Sequence, residues 1–239
     1  MRPENSIAAS RSRFRRAQWP VPAALIFLSL IPVIAGAVRL TELTGGGAVT
    51  PQNERFFDSP IPVVTHIVSV TVYCLLGALQ FVPSLRNARR KWHRMAGRIL
   101  VPAGLLAALS GLWMSVFYAL PEGDGEALLI LRFIFGCAMA VSIILGFLAV
   151  RRRDFVAHSA WMTRGYAIGL GTGTQALVFL PWMLLVGPTD EATRAVLMGA
   201  SWVINLAVAE IVIRRRAGKS TPASHPESRS RQTSLRPSR

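Results

Sequence analysis

Acidic residues are scarce in this chain. Twelve Asp and Glu stand against 27 Lys and Arg in 239 residues, a formal net charge of +15. Such an excess can signal nucleic acid, but no recognition module accompanies it, so nucleic acid is not an expected partner. Cysteine is scarcer still. Cys74 and Cys137 each sit inside an apolar run, with no CxxC and no spaced Cys/His set. That pattern indicates neither a zinc site nor a disulfide framework, and both read as small buried hydrophobes. There is no HExxH, no P-loop and no Ser-His-Asp set. Gly169, Gly171 and Gly173 are not a dinucleotide fingerprint, because no strand precedes them and no βαβ unit surrounds them. Close packing against another helix accounts for them better. The amphipathic period of a soluble core is missing as well.

What is present is a series of near-continuous apolar runs of about 20 residues, long enough to cross a bilayer as helices. The fold expected is all-α: an integral membrane bundle of six helices over residues 20–213, between basic disordered tails at 1–19 and 214–239. The runs are Pro20–Leu40, Ile61–Val82, Ala96–Ala119, Leu128–Val150, Gly165–Val186 and Ala195–Ile213. The first also carries a signal-peptide pattern, Ala35-Gly36-Ala37 after a basic stretch. Pro32 does not forbid a membrane helix there, and either reading leaves the later helices unchanged. The pair before and after Arg86–Arg98 resembles the pair around Arg151–Arg164: Leu76-Gly77 and Leu145-Gly146 precede the two basic stretches, and His93 and His158 follow their starts.

Orientation follows from the cations. All but four, Arg39, Arg55, Arg132 and Arg194, lie in the tails or the two basic stretches. The positive-inside rule then places both termini in the cytoplasm of a multi-pass cell-membrane protein. The lipid bilayer is the expected partner, with anionic lipids at the basic clusters.

Polar side chains within membrane helices are costly, so each is a functional candidate. These are His66, Gln80, Arg132, Gln175, Asn205 and Glu210. His66 reads as a metal or haem ligand, a proton acceptor, or a histidine bonded to a neighbouring helix. Arg132 reads as snorkelling outward or pairing with an acid such as Glu126. Glu210 reads as a local ion pair with Arg214 at i+4, or as a proton relay. Interhelical hydrogen bonds account for Asn205 and Gln175. His93 and His158 share one depth on two helices, where two imidazoles can hold a haem iron. Arg94, Arg98 and Arg164 are placed to meet propionates. The plainer reading makes these arginines, with Trp92 and Trp161, an interfacial belt.

The motifs His66…Gln80-Phe81…Arg86…His93-Arg94…Gly97-Arg98, His158…Trp161-Met162…Arg164 and Trp202…Asn205…Glu210 resemble a bacterial membrane family, domain of unknown function 2306. The resemblance covers roughly residues 60–213 and implies a multi-helix membrane protein. A looser likeness is to cytochrome b561-type proteins, six-helix proteins with two bis-histidine haems. That likeness implies haem b on His93 and His158 as metal ligands, with Arg98 and Arg164 beside it. His66 is on the second helix, where the other haem has a ligand, but the fourth helix supplies no histidine.

Three functions are compatible with these readings. One is a b-type haem electron-transfer protein. A second is a small transporter whose polar path includes Glu210, Asn205 and His66. The third is a non-catalytic membrane module that binds lipid or a partner protein.

Overall fold

The computed structural model describes residues 19–83, 85 and 89–218. The expected disordered tails, apart from residues 19 and 214–218, lie outside the described residues, as does Arg86. Eight helices follow in order: α1 (Pro20–Thr44), α2 (Glu54–Asp58), α3 (Pro60–Gln80), α4 (Arg90–Phe117), α5 (Glu126–Arg151), α6 (Phe155–Gly169), α7 (Gly171–Leu185) and α8 (Glu191–Gly218). No strand occurs among the described residues. Among the described residues five helices are long and apolar enough to cross a membrane, or six if α6 and α7, bent by 42° at their break, form one span.

The helix starts follow local chemistry. Pro60 opens α3, a position where a missing N–H costs nothing. Glu126 and Glu191 place acid in the first turns of α5 and α8, which complements the helix dipole. Asp190 accepts the Thr193 N–H at 2.8 Å, and the Thr193 bonds hold its carboxyl below the usual range.

Several boundaries differ from the sequence reading, among them the start of α4, at Arg90 rather than Ala96. Arg151–Arg164 was expected to be mostly a basic loop. Instead the chain turns within three residues, with Arg153 in the left-handed region at φ 61°. Asp154 then caps α6 by accepting the Ala157 N–H at 2.9 Å. His158 therefore stands one turn inside a helix. The span expected at Gly165–Val186 is not one continuous helix, because the backbone breaks at Leu170. Finally, α8 carries 214–218 into helix rather than tail.

The helices form a bundle wrapped on α6. α3 packs between α1 and α4 and touches α6; α5 packs on α4 and α6; α8 packs on α5, α6 and α7; α7 closes against α1. Large apolar side chains such as Leu184, Leu185 and Val196 point outward, as lipid-facing residues of a membrane bundle do. Small residues line the helix contacts instead. Gly77 and Gly146 both face α6, against the Tyr166 ring and Met162. Gly104 lies between Tyr73 of α3 and Ile143 of α5. The three glycines at the break meet three different helices: Gly169 meets Tyr73, Gly171 meets Trp202, and Gly173 meets the backbone of Leu28. The glycine density thus serves close approach, as the sequence suggested, with a different partner at each residue.

Candidate ligand-binding cavity

One end of the bundle is tied together by its loops, which carry most of the acids. Tyr118 donates its hydroxyl to the Ser59 carbonyl at 2.5 Å, and Arg55 donates to the Ala119 carbonyl at 3.1 Å. Asp124 has a fully buried side chain and receives two guanidiniums, from Arg132 of α5 and Arg194 of α8. The partner of Arg132 is therefore Asp124, not Glu126. Glu126 starts the same helix, whereas the turn at Gly123 and Asp124 folds back over Arg132. Arg39 pairs with Glu42, and Arg39 and Arg55 each stack 4.7 Å from the Phe56 ring centre. The four cations that stand apart from the basic segments thus gather at this acidic end. Arg55 has no carboxylate partner among the described residues. Burial pushes its guanidinium down; Asp124 opposes this, and Arg39 and Arg132 add to it.

Beneath this cluster lies a cavity of about 400 Å³, a size that holds a small organic molecule. Arg55 and Arg132 stand at its mouth. Its walls are apolar, with Val70, Leu112, Phe135, Met139 and Trp202 among them, and Phe135 and Trp202 stack at 4.7 Å. It reaches down to Tyr73, Ile168 and Gly169, beside the break between α6 and α7. Tyr73 is thirteen residues into α3, roughly 20 Å along the axis at 1.5 Å per residue. The floor therefore lies deep in the membrane part. A second cavity, of about 560 Å³, shares Arg55 and Tyr118 but is lined by Glu54, Asp58 and Glu122.

Three polar side chains define the deep cavity chemically. His66 Nδ1 lies 2.9 Å from the Ala107 carbonyl and 3.1 Å from Ser110 Oγ. A carbonyl only accepts, so Nδ1 carries the proton and Nε2 is left as the acceptor. His66 is thus bonded to a neighbouring helix, as one reading of the sequence had it, and also lines the cavity. Gln175, on the second turn of α7, is only 7% exposed, and its Nε2 has no hydrogen-bond partner. The expectation that interhelical bonding satisfies Gln175 does not hold for its amide nitrogen, which is buried without a partner in a residue that lines the cavity. The Tyr73 hydroxyl, 2% exposed as a residue, is likewise unpartnered. Buried donors without partners are rare and costly.

The other candidates form two polar links below the floor. Asn205 of α8 accepts from Thr174 Oγ1 at 2.8 Å and donates to the Ala167 carbonyl at 3.0 Å. Those partners lie on opposite sides of the break, so Asn205 clamps its two halves. Glu210 takes a two-pronged bond from Arg164 of α6, and Arg164 stacks 4.7 Å from the Trp161 ring. The expected local pair with Arg214 is replaced by this one, because the planar Arg164 fork faces α8 across a packed contact and matches a carboxylate on both arms.

The residues proposed for haem are not brought together in this way. His158 Nδ1 bonds the Gly146 carbonyl of α5 at 2.8 Å. His93 is in the first turn of α4, which packs chiefly on α3, whereas α6 packs chiefly on α5. Arg164 is engaged by Glu210, and Arg98 is exposed. Neither cavity is lined by His93 or His158. Among the described residues no cluster of three or more His, Cys, Asp or Glu converges as a metal site. Nothing in these contacts supports a haem at His93 and His158. Gln80, also singled out, has both ends of its carboxamide buried without partners, away from either cavity.

Asp124, Arg55 and Tyr73 did not stand out in the sequence. The first two sit in loops that read like any solvated loop, and Tyr73 lies in an uninterrupted apolar run. The available signal was the rarity of cations outside the basic segments, which makes each of those four arginines informative.

No curated protein and no solved structure matches the chain. A family model described as a predicted membrane protein family, DUF2306, matches residues 63–213. That segment holds the cavity walls, the broken span and the Arg164–Glu210 link, and the chain belongs to the DUF2306 family of membrane proteins.

Proposed function

We propose that the protein is a small transporter-type membrane protein, taking a small molecule into the cavity from the acidic end. With the basic segments in the cytoplasm, as the positive-inside rule expects, that end faces outward. The observation that carries the reading is Gln175, a buried donor without a partner at the floor of the cavity, beside a break in a membrane span. Discontinuous helices next to a mid-membrane cavity are how many transporters build their substrate sites. The Asn205 clamp and the Arg164–Glu210 link continue a polar line toward the basic end. They supply groups that exchange partners if the break moves.

Thr172 lines the cavity just past the break. A Thr172→Cys variant, with Cys74 and Cys137 replaced by alanine, is reconstituted in vesicles of known orientation. A membrane-impermeant thiol reagent is then applied to either face. Labelling from the acidic-end face, and more slowly from the opposite face, is the expected result. Labelling from the acidic end alone reduces the protein to a one-sided binder, and labelling from neither face removes the open cavity altogether.

A further inference from the structure

We infer that the cavity takes a small organic anion with an apolar body, its charge held at Arg55 and its body against Tyr73, Met139 and Trp202. This rests on the proposed reading that the cavity receives a ligand, and it names the class of that ligand.

The four arginines gathered at the acidic end are used unequally. Arg39 is matched by Glu42, and Arg132 and Arg194 share the single carboxylate of Asp124. Two arginines thus share one carboxylate, and Arg55 has none within ion-pair distance among the described residues. Arg55 is held in place rather than loose: one arm bonds the Ala119 carbonyl and its plane stacks on Phe56. Its remaining N–H groups form the planar fork that matches a carboxylate on two bonds. Arg39 and Arg132 repel it, against the stronger pull of Asp124.

The acids Glu54, Asp58 and Glu122 line the second cavity, on the other side of Arg55 and Tyr118. None of them pairs with Arg55. They disfavour an anion in that second space and leave the deep, apolar one as the place for it. Below the mouth the walls carry few polar groups, so the body of the ligand is apolar. At the floor Gln175 adds a polar side chain to the lining, so the inner end of the ligand meets a carboxamide.

The test compares octanoate with octanamide, its neutral counterpart of equal length, on the full chain in phosphatidylcholine nanodiscs. Binding is read by tryptophan fluorescence, since Trp202 lines the cavity. Octanoate is expected to bind at least roughly ten-fold more tightly than octanamide, about 1.4 kcal/mol at 25 °C. In Arg55→Gln that preference disappears while octanamide binds as before. Equal affinities in the unmodified protein, both kept in Arg55→Gln, overturn the anionic class and leave the ligand cavity standing. Absence of binding by either probe overturns both. Adding phosphatidylglycerol to the nanodiscs separates two sources of the same chemistry. Unchanged octanoate affinity identifies a soluble anion, and competition identifies an anionic lipid headgroup; each supports an anion site at Arg55.

Discussion

Asp124→Ala is expected to lower stability by about 2–4 kcal/mol, below the full cost of breaking a buried ion pair because the two arginines are partly open to solvent. The Asp124 side chain is 0% exposed, and Arg132 and Arg194 are 24% and 33% exposed. Removing the carboxylate leaves two guanidiniums crowded without a counter-charge. It also unties the loop between α4 and α5 from α8. Thermal unfolding in detergent measures the loss. The single changes Arg132→Gln and Arg194→Gln should each cost less, because the carboxylate then keeps one partner. A loss for Asp124→Ala no larger than for either arginine change would show that the three do not act as one unit.

Gly104→Leu is the second large effect. A Cβ at this position falls 2.7 Å from Ile143 Cδ1 and 2.5 Å from Tyr73 Cε2. Both neighbours are buried, at 0% and 2% exposure. Tyr73 has little room to swing, since its ring also contacts Gly169. Overpacking of this kind costs about 1–3 kcal/mol and occasionally more, and a side chain of four carbons belongs at the upper end. The same change pushes the cavity floor, so ligand affinity should fall with stability. Gly97→Ala on the same helix is the control. A Cβ there meets nothing within 4 Å, and relief of helical glycine is worth about 0.5–1 kcal/mol of added stability. Thermal unfolding of the two variants with opposite signs is the expected outcome; equal destabilisation would contradict the account of Gly104.

The membrane helices were legible in the sequence because each is an apolar run of membrane length, a signal that depends on no tertiary contact. The break at Leu170 was not. Its glycines were visible, but the bend depends on Asn205 bonding both halves from another helix. Partners of charged residues were misread for the same reason. Glu210 has Arg214 one turn away along its own chain, yet a bundle contact brings Arg164 to it instead. Arg132 was read as snorkelling outward or pairing with an acid such as Glu126, and the loop presents Asp124 to it instead. Gln175 was legible as an intramembrane polar residue, but a void has no sequence signature, so its lack of a partner could not be foreseen. His93 and His158 each lie in the first turns of a helix, and the Gly146 carbonyl that His158 meets belongs to a third helix, a contact that spacing along the chain does not reveal.

The central claim is that Gln175 serves a ligand and not the fold. The most direct measurement is thermal unfolding of Gln175→Leu beside the unmodified protein, with octanamide binding read on the same samples. Leucine fills similar space and removes a buried donor that has no partner, a group that costs about 1–3 kcal/mol to leave unpaired. The account predicts a variant that unfolds at a higher temperature and binds the probe at least roughly ten-fold more weakly. A variant that unfolds at a lower temperature, or keeps its affinity for the probe, would contradict it.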